Sequence, residues 1–254
     1  MIDSHVIFES ILHSHDVKTD KNAKFLILAV RFLEERLLLP EKLGRSGRDK
    51  FQTYMENLRL ADLVEFAVND LSKSYPHLTA FLSDYPPDLF KLRTLNDESL
   101  LSLLKELDNY RLSDVDADEL YSLGANLLLN AEPKEINVVR LSGLPLDRNS
   151  RIVELPNGMG NPTLELLSLY PELTISQSCQ ILVSTDIAEA LAGWATILCG
   201  ATEDDNDRIV RISENEWRDF KRDTADFVLV ADPPEWIKID DIERKFAPAQ
   251  VIKL

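Results

Sequence analysis

The chain predicts an α/β protein, with a helical amino-terminal domain over residues 1–133 and a mostly parallel sheet with flanking helices over residues 134–254. Three observations predict it. Up to about Ala131, apolar residues recur at three- and four-residue steps and strand signals are nearly absent. After Glu132-Pro133-Lys134, short β-branched and apolar runs take over. Those runs alternate with stretches of helical patterning, the signature of βαβ units.

In the first half, residues 25–39 place apolar side chains around a charged face, and Pro40 ends the helix. A longer amphipathic helix is expected over residues 49–74, with Leu58, Leu60, Leu63, Val64, Ala67 and Leu71 as its inner stripe. Shorter helices are expected at 78–84, 88–91, 97–108 and 116–129. Asn96 caps the third of these, and acids in its first turn suit the helix dipole.

In the second half, strands are expected at residues 151–155, 181–185, 208–212 and 226–230. Residues 249–254 read either as a fifth strand or as a frayed tail. Helices are expected at 162–170, 187–199 and 214–221, and the acidic run Glu203-Asp204-Asp205-Asn206-Asp207 as an exposed turn. The helix from Ile187 is rich in small residues, as one packed tightly on a sheet should be.

Composition narrows the function. The chain has 254 residues, 44% hydrophobic and 28% charged, and no apolar run of bilayer-spanning length. Its amino terminus lacks the basic start and cleavage site of a signal peptide. Cys179 and Cys199 have no metal spacing and no disulfide framework, so a cytoplasmic protein is expected. Net charge is −16, shared equally between the parts before and after Pro133. Nucleic-acid affinity rests on Lys and Arg at phosphates, so the chain is poorly equipped to hold DNA or RNA alone. The one compact basic cluster, from Gly44 to Lys50, reads as a solvated loop.

Several motifs are read as structural. His13-Ser14-His15-Asp16 lacks the further ligands of a metal site, and Asp114, Asp116 and Asp118 lack the glycine and distal glutamate of a calcium loop. No metal is expected. Trp194 and Trp217 read as packing residues, and neither a Gly-x-Ser-x-Gly nucleophile nor a P-loop occurs.

Three strand ends carry ligand-type residues. The run from Glu154 through Pro156, Gly158 and Gly160 to Pro162 leaves the first strand and enters a helix, where glycines allow close backbone approach. It reads as a ligand loop or as a tight βα turn. Asp186, after the second strand, suits ribose hydroxyls or a helix cap. After the fourth strand comes Asp232-Pro233-Pro234-Glu235-Trp236, where Pro-Pro stops the ladder and leaves an acid at a strand end.

These residues, in this order, resemble class I S-adenosylmethionine-dependent methyltransferases with a Rossmann-like sheet. Asp232-Pro233-Pro234 with Trp236 resembles the Asn/Asp-Pro-Pro-aromatic motif of enzymes that methylate adenine N6 in DNA. Glu154 to Gly160 is similar in frame to the glycine run of the modification subunits of type I restriction systems, and Ala195 to Gly200 resembles a helix end of theirs. The resemblance implies S-adenosylmethionine as cofactor. Glu154, Pro156, Gly158 and Gly160 would lie along its methionine part and ribose, and Asp186 would hold the ribose hydroxyls. Asp232, with the carbonyl of Pro233, would accept hydrogen bonds from the amine of a flipped base, with Pro234 and Trp236 completing that loop. It also implies a DNA substrate gripped through a specificity subunit or a missing recognition segment.

This sequence departs from the pattern at Pro156, at Asn161-Pro162, and at Glu235, which stands where the base-stacking aromatic belongs. The family sheet has seven strands, and this chain stops near the fifth. The expectation is therefore a fragment of a longer methyltransferase or a degenerate relative, inactive alone and able to form oligomers. A rival reading is a catalytically inactive scaffold that keeps the fold. A third is a methyltransferase acting on protein glutamine or a small molecule.

Overall fold

The computed structural model describes residues 21–36, 38, 69, 71–83, 111–129, 136–220, 225–231 and 233–254. The expected helices at 88–91 and 97–108, most of the one at 49–74, the basic cluster from Gly44, the His13–Asp16 run and Asp232 lie outside these residues.

The strands are β1 (Ile152–Glu154), β2 (Cys179–Val183), β3 (Ile209–Arg211), β4 (Phe227–Val230) and β5 (Gln250–Lys253). The principal helices are α1 (Lys21–Glu35), α2 (Ala117–Leu129), α3 (Asn161–Leu169), α4 (Asp186–Leu198), α5 (Glu214–Asp219) and α6 (Ile239–Lys245). By their contacts, Tyr75–Phe81 and Pro133–Leu254 form one unit, and Met1–Ser74 with Leu82–Glu132 form another.

In the second unit the strands make a five-stranded sheet in the order β3-β2-β1-β4-β5, with every pairing parallel. Residues 250–253 pair with β4 as strand, which resolves the open expectation there. Every position of β1 and β4 is buried, as a parallel sheet covered on both faces requires. Strand alternation sends Ile152, Ile181, Val183 and Leu229 towards Leu166 of α3 and Ala188 and Ala192 of α4. Val153, Leu182, Val228 and Val230 face Trp217 of α5 and Ile242 and Phe246 beside α6. Burying each such aliphatic side chain contributes roughly 2 kcal/mol. The chain runs from β1 outward to β3, then crosses back to β4. The order reverses between β1 and β4, and ligands of open α/β sheets bind above the carboxyl ends of strands at that point.

Local signals explain the helix starts. Pro162 stands in the first turn of α3. Ser213 and Glu216 form a reciprocal capping box on α5, with the Ser213 amide donating to Glu216 at 2.7 Å. The short helix α6 was not expected; no side chain caps it at Lys238, although acids open it and Arg244 and Lys245 close it. The acidic run 203–207 is an exposed 3-10 turn, Glu203–Arg208.

In the first unit, α1 packs against α2. It ends at Glu35, not beside Pro40, because Leu38 N–H folds back to the Leu33 carbonyl at 2.9 Å and closes the last turn. It is also not half-exposed. Every residue from Phe25 to Leu33 is buried, including Arg31, which pairs with Glu35 at 2.9 Å.

Candidate functional site

β1 ends in Glu154, whose side chain is fully buried. Strand alternation turns it towards the start of α3. There Oε1 accepts the Gly160 N–H at 2.7 Å, and Oε2 accepts the Thr163 N–H and hydroxyl at 3.0 and 2.7 Å. A helix start carries unpaired amides and partial positive charge. Here the chain fills that anion site with its own carboxylate. Burial pushes the carboxyl up to about 7, against the pull of the donors from Thr163 and Gly160.

The loop from Leu155 to Gly160 wraps around this carboxylate through left-handed turns at Asn157 (φ 77°), Met159 (φ 58°) and Gly160 (φ 84°). A Cβ on Gly158 would collide with Glu154 Oε1, and one on Gly160 would stand 2.6 Å from the Ala195 Cβ and 3.1 Å from the Ala192 Cα. Both glycines thus serve close packing within the chain, and the small residues of α4 receive the loop. Pro156 is buried, and Met159 packs against Ile181, Val183, Ala188, Ala192 and Ile209.

At the next strand end, Thr185 caps α4 by accepting the Ala188 N–H at 3.2 Å. Asp186 is therefore released from the capping role that sequence left open. Its carboxylate, 14% exposed, pairs with Arg211 Nη1 from the end of β3. The same nitrogen lies 3.5 Å from Glu189 Oε2. His77 Nδ1 donates to Glu189 Oε1 at 2.8 Å, and Nε2 donates to the Asn206 carbonyl at 2.7 Å. Two acceptors on one imidazole favour the form in which both ring nitrogens carry protons, the imidazolium. Burial pulls its pKa down, but the bonds to Glu189 and Asn206 outweigh it and the net shift is upward.

Beyond β4, Ala231 is buried, Pro233 and Pro234 are half-buried, and Glu235 is exposed. The Ile237 N–H donates to the Pro234 carbonyl at 2.8 Å, closing a tight turn. The half-buried Trp236 stands edge-on to Trp217, with centroids 6.4 Å apart at 65°, on the sheet face that α5 and α6 cover.

Glu154 to Gly160, Asp186, and Pro233-Pro234 thus follow the carboxyl ends of three adjacent parallel strands, on one rim of the sheet. Sequence reasoning did not single out His77, Glu189 or Arg211. Glu189 lies one helical turn from Asp186, which is a usable signal; His77, 112 residues before Glu189, offered none.

No protein-family model matches the chain, and no curated protein matches it. Among solved structures, it is similar to the methyltransferase subunit of a type I restriction-modification system from Streptococcus thermophilus, at a TM-score of 0.51 and 12% identity. The match covers 90% of this chain and 63% of that one, so the chain spans less than two thirds of the structure it resembles. At that identity the likeness shows the fold, which is methyltransferase-like α/β.

Proposed function

We propose that the chain is an S-adenosylmethionine-dependent methyltransferase module of the adenine-N6 DNA type, part of a restriction-modification or related system. The observation that carries this reading is the single rim at the switch point. A glycine loop, an acid and a Pro-Pro turn follow three neighbouring parallel strands there, in a sheet similar to that of a methyltransferase subunit. The helical part, residues 1–133, and the sheet, residues 134–254, would act as separate domains of that module.

The residues fit a nucleoside at the ribose end, where Asp186 offers an acceptor at the rim. At the start of α3 the amides of Gly160 and Thr163 already serve Glu154. Glu154, Pro156, Gly158 and Gly160 would therefore form the wall of the methionine side. S-adenosylmethionine, when bound, supplies a methyl group already activated on a sulfonium. Asp232 and the Pro233 carbonyl would accept hydrogen bonds from an exocyclic amine and aim its lone pair, while Pro234 and Trp236 stiffen their loop. With a net charge of −16, the grip on DNA would come from a partner subunit or a further recognition segment. A cytoplasmic setting is part of the proposal, in keeping with the free thiols of Cys179 and Cys199.

A second reading, a non-catalytic scaffold, is favoured by specific contacts. Arg211 occupies Asp186, Glu154 occupies the helix-start amides, and the exposed Glu235 stands where a stacking ring belongs while Trp236 packs on Trp217. The two readings separate in one assay. Chain and partner subunit are incubated with labelled S-adenosylmethionine and adenine-containing DNA. Methyl transfer that is lost in Asp232→Ala, with cofactor binding kept, supports the enzyme; no cofactor binding supports the scaffold.

A further inference from the structure

We propose that Arg211 sets access to the ribose end of the proposed site at the rim: its guanidinium competes with a nucleoside's vicinal hydroxyls for Asp186, and Glu189 draws it away. This rests on the nucleoside reading above and deepens it, because it names the residue that regulates that site.

The geometry is a chain of alternating charge. Asp186 pairs with Arg211, Arg211 lies within 3.5 Å of Glu189, and Glu189 bonds His77 at 2.8 Å. The two carboxylates stand one turn apart on the same face of α4, with side chains only 14% and 13% exposed, whereas Arg211 is 55% exposed. The cation is the part with room to move, and one guanidinium at the end of β3 reaches both acids. A hydroxyl that takes over Asp186 displaces Arg211, and Glu189 gives the displaced charge a second seat. Without that seat, the nucleoside would have to strip an ion pair outright.

Glu189 is itself shared. With His77 charged, part of the Glu189 field is spent on the imidazolium and Arg211 rests on Asp186. With His77 neutral, Glu189 holds Arg211 more strongly and Asp186 opens. Affinity for the nucleoside then rises with pH through the His77 titration. The groups that reach His77 are Glu189 from α4, the Asn206 carbonyl from the Glu203–Arg208 turn, and Arg211 through Glu189; Asp205, which lines the same pocket, accepts from the Thr202 N–H and hydroxyl. Tyr75 shares its segment and feels Glu203.

The test titrates S-adenosylhomocysteine by calorimetry into the full chain and into Arg211→Gln, Arg211→Lys and Glu189→Gln, at pH 6 and pH 8.5. The His77 ring is followed by NMR without ligand. Arg211→Gln should bind up to about fivefold tighter, the scale of one exposed ion pair, and lose the pH dependence. Arg211→Lys should fall between it and the wild type, and Glu189→Gln should bind more weakly. The His77 midpoint should rise in Arg211→Gln, since Glu189 then serves the imidazole alone. If the wild type binds and Arg211→Gln binds equally or less well, the competition is refuted while the nucleoside reading stands. If neither binds at millimolar ligand, the nucleoside reading falls and the competition with it. An unmoved His77 midpoint refutes the linkage through Glu189.

Discussion

Glu154 shows at the scale of one residue why this rim of the sheet is unusual. A carboxylate with no exposure is held by two backbone amides and a hydroxyl, yet burial still lifts its pKa from 4.5 to about 7. An acid raised in this way takes up a proton on folding. Its burden on the fold is absent below pH 4.5 and grows to on the order of 3 kcal/mol above pH 7. Glu154→Gln removes the charge but turns an NH2 group onto a backbone N–H, because an amide nitrogen cannot accept. A protonated carboxyl can still do so. Glu154→Gln should therefore be less stable than wild type by about 2 kcal/mol at pH 5, with the gap closing by pH 8, as read from urea melts. Glu154 was legible in the sequence as an acid at a strand end. Its partners, six and nine residues further on, were not, since they depend on how tightly the loop turns. Asp186 was legible only as an alternative, and the Thr185 cap removes one branch of it, the helix cap.

Helix α4 is the element on which both sides of the site lean. Gly160 →Ala adds a methyl at φ 84° and drives it into Ala195, so it should cost about 3 kcal/mol and lower the Tm. The other side is the Tyr75–Phe81 segment, tied through His77 to α4 and to the Asn206 carbonyl. A histidine held above its unfolded pKa of about 6.5 stabilises fully below that value and loses the contribution as pH climbs through its folded pKa. His77→Ala should speed amide exchange across Tyr75–Phe81 at pH 6, with a loss of about 2 kcal/mol, and the gap should narrow as rising pH removes the charge from the imidazole. Strands were readable here because β-branched runs broken by Pro, Gly and acids have few alternatives. The end of α1 and the whole of α6 were not. One is closed by a backbone bond from Leu38 that no residue type announces, and the other is seven residues long without a capping side chain.

For the whole molecule, the order of strands reverses beside β1, the point at which ligands of open α/β sheets bind, and the sequence already pointed to that rim through three strand ends. It did not point to the closure of that rim from within, because Arg211 and His77 meet their partners across distances in sequence that only the fold brings together, and Glu154 meets its own through the tightness of one loop. A net charge of −16 predicts that the chain alone will not retain duplex DNA at physiological salt in a filter or mobility assay, and that retention appears only with a basic partner. The central claim is that this rim takes an S-adenosyl nucleoside. Calorimetric titration of S-adenosylhomocysteine into wild type and Asp186→Asn tests it most directly. The account predicts saturable one-to-one binding to wild type, about tenfold weaker in the variant, and about 2.7 kcal/mol of added stability at a hundredfold excess over the wild-type Kd. No heat and an unchanged Tm at millimolar ligand would contradict it.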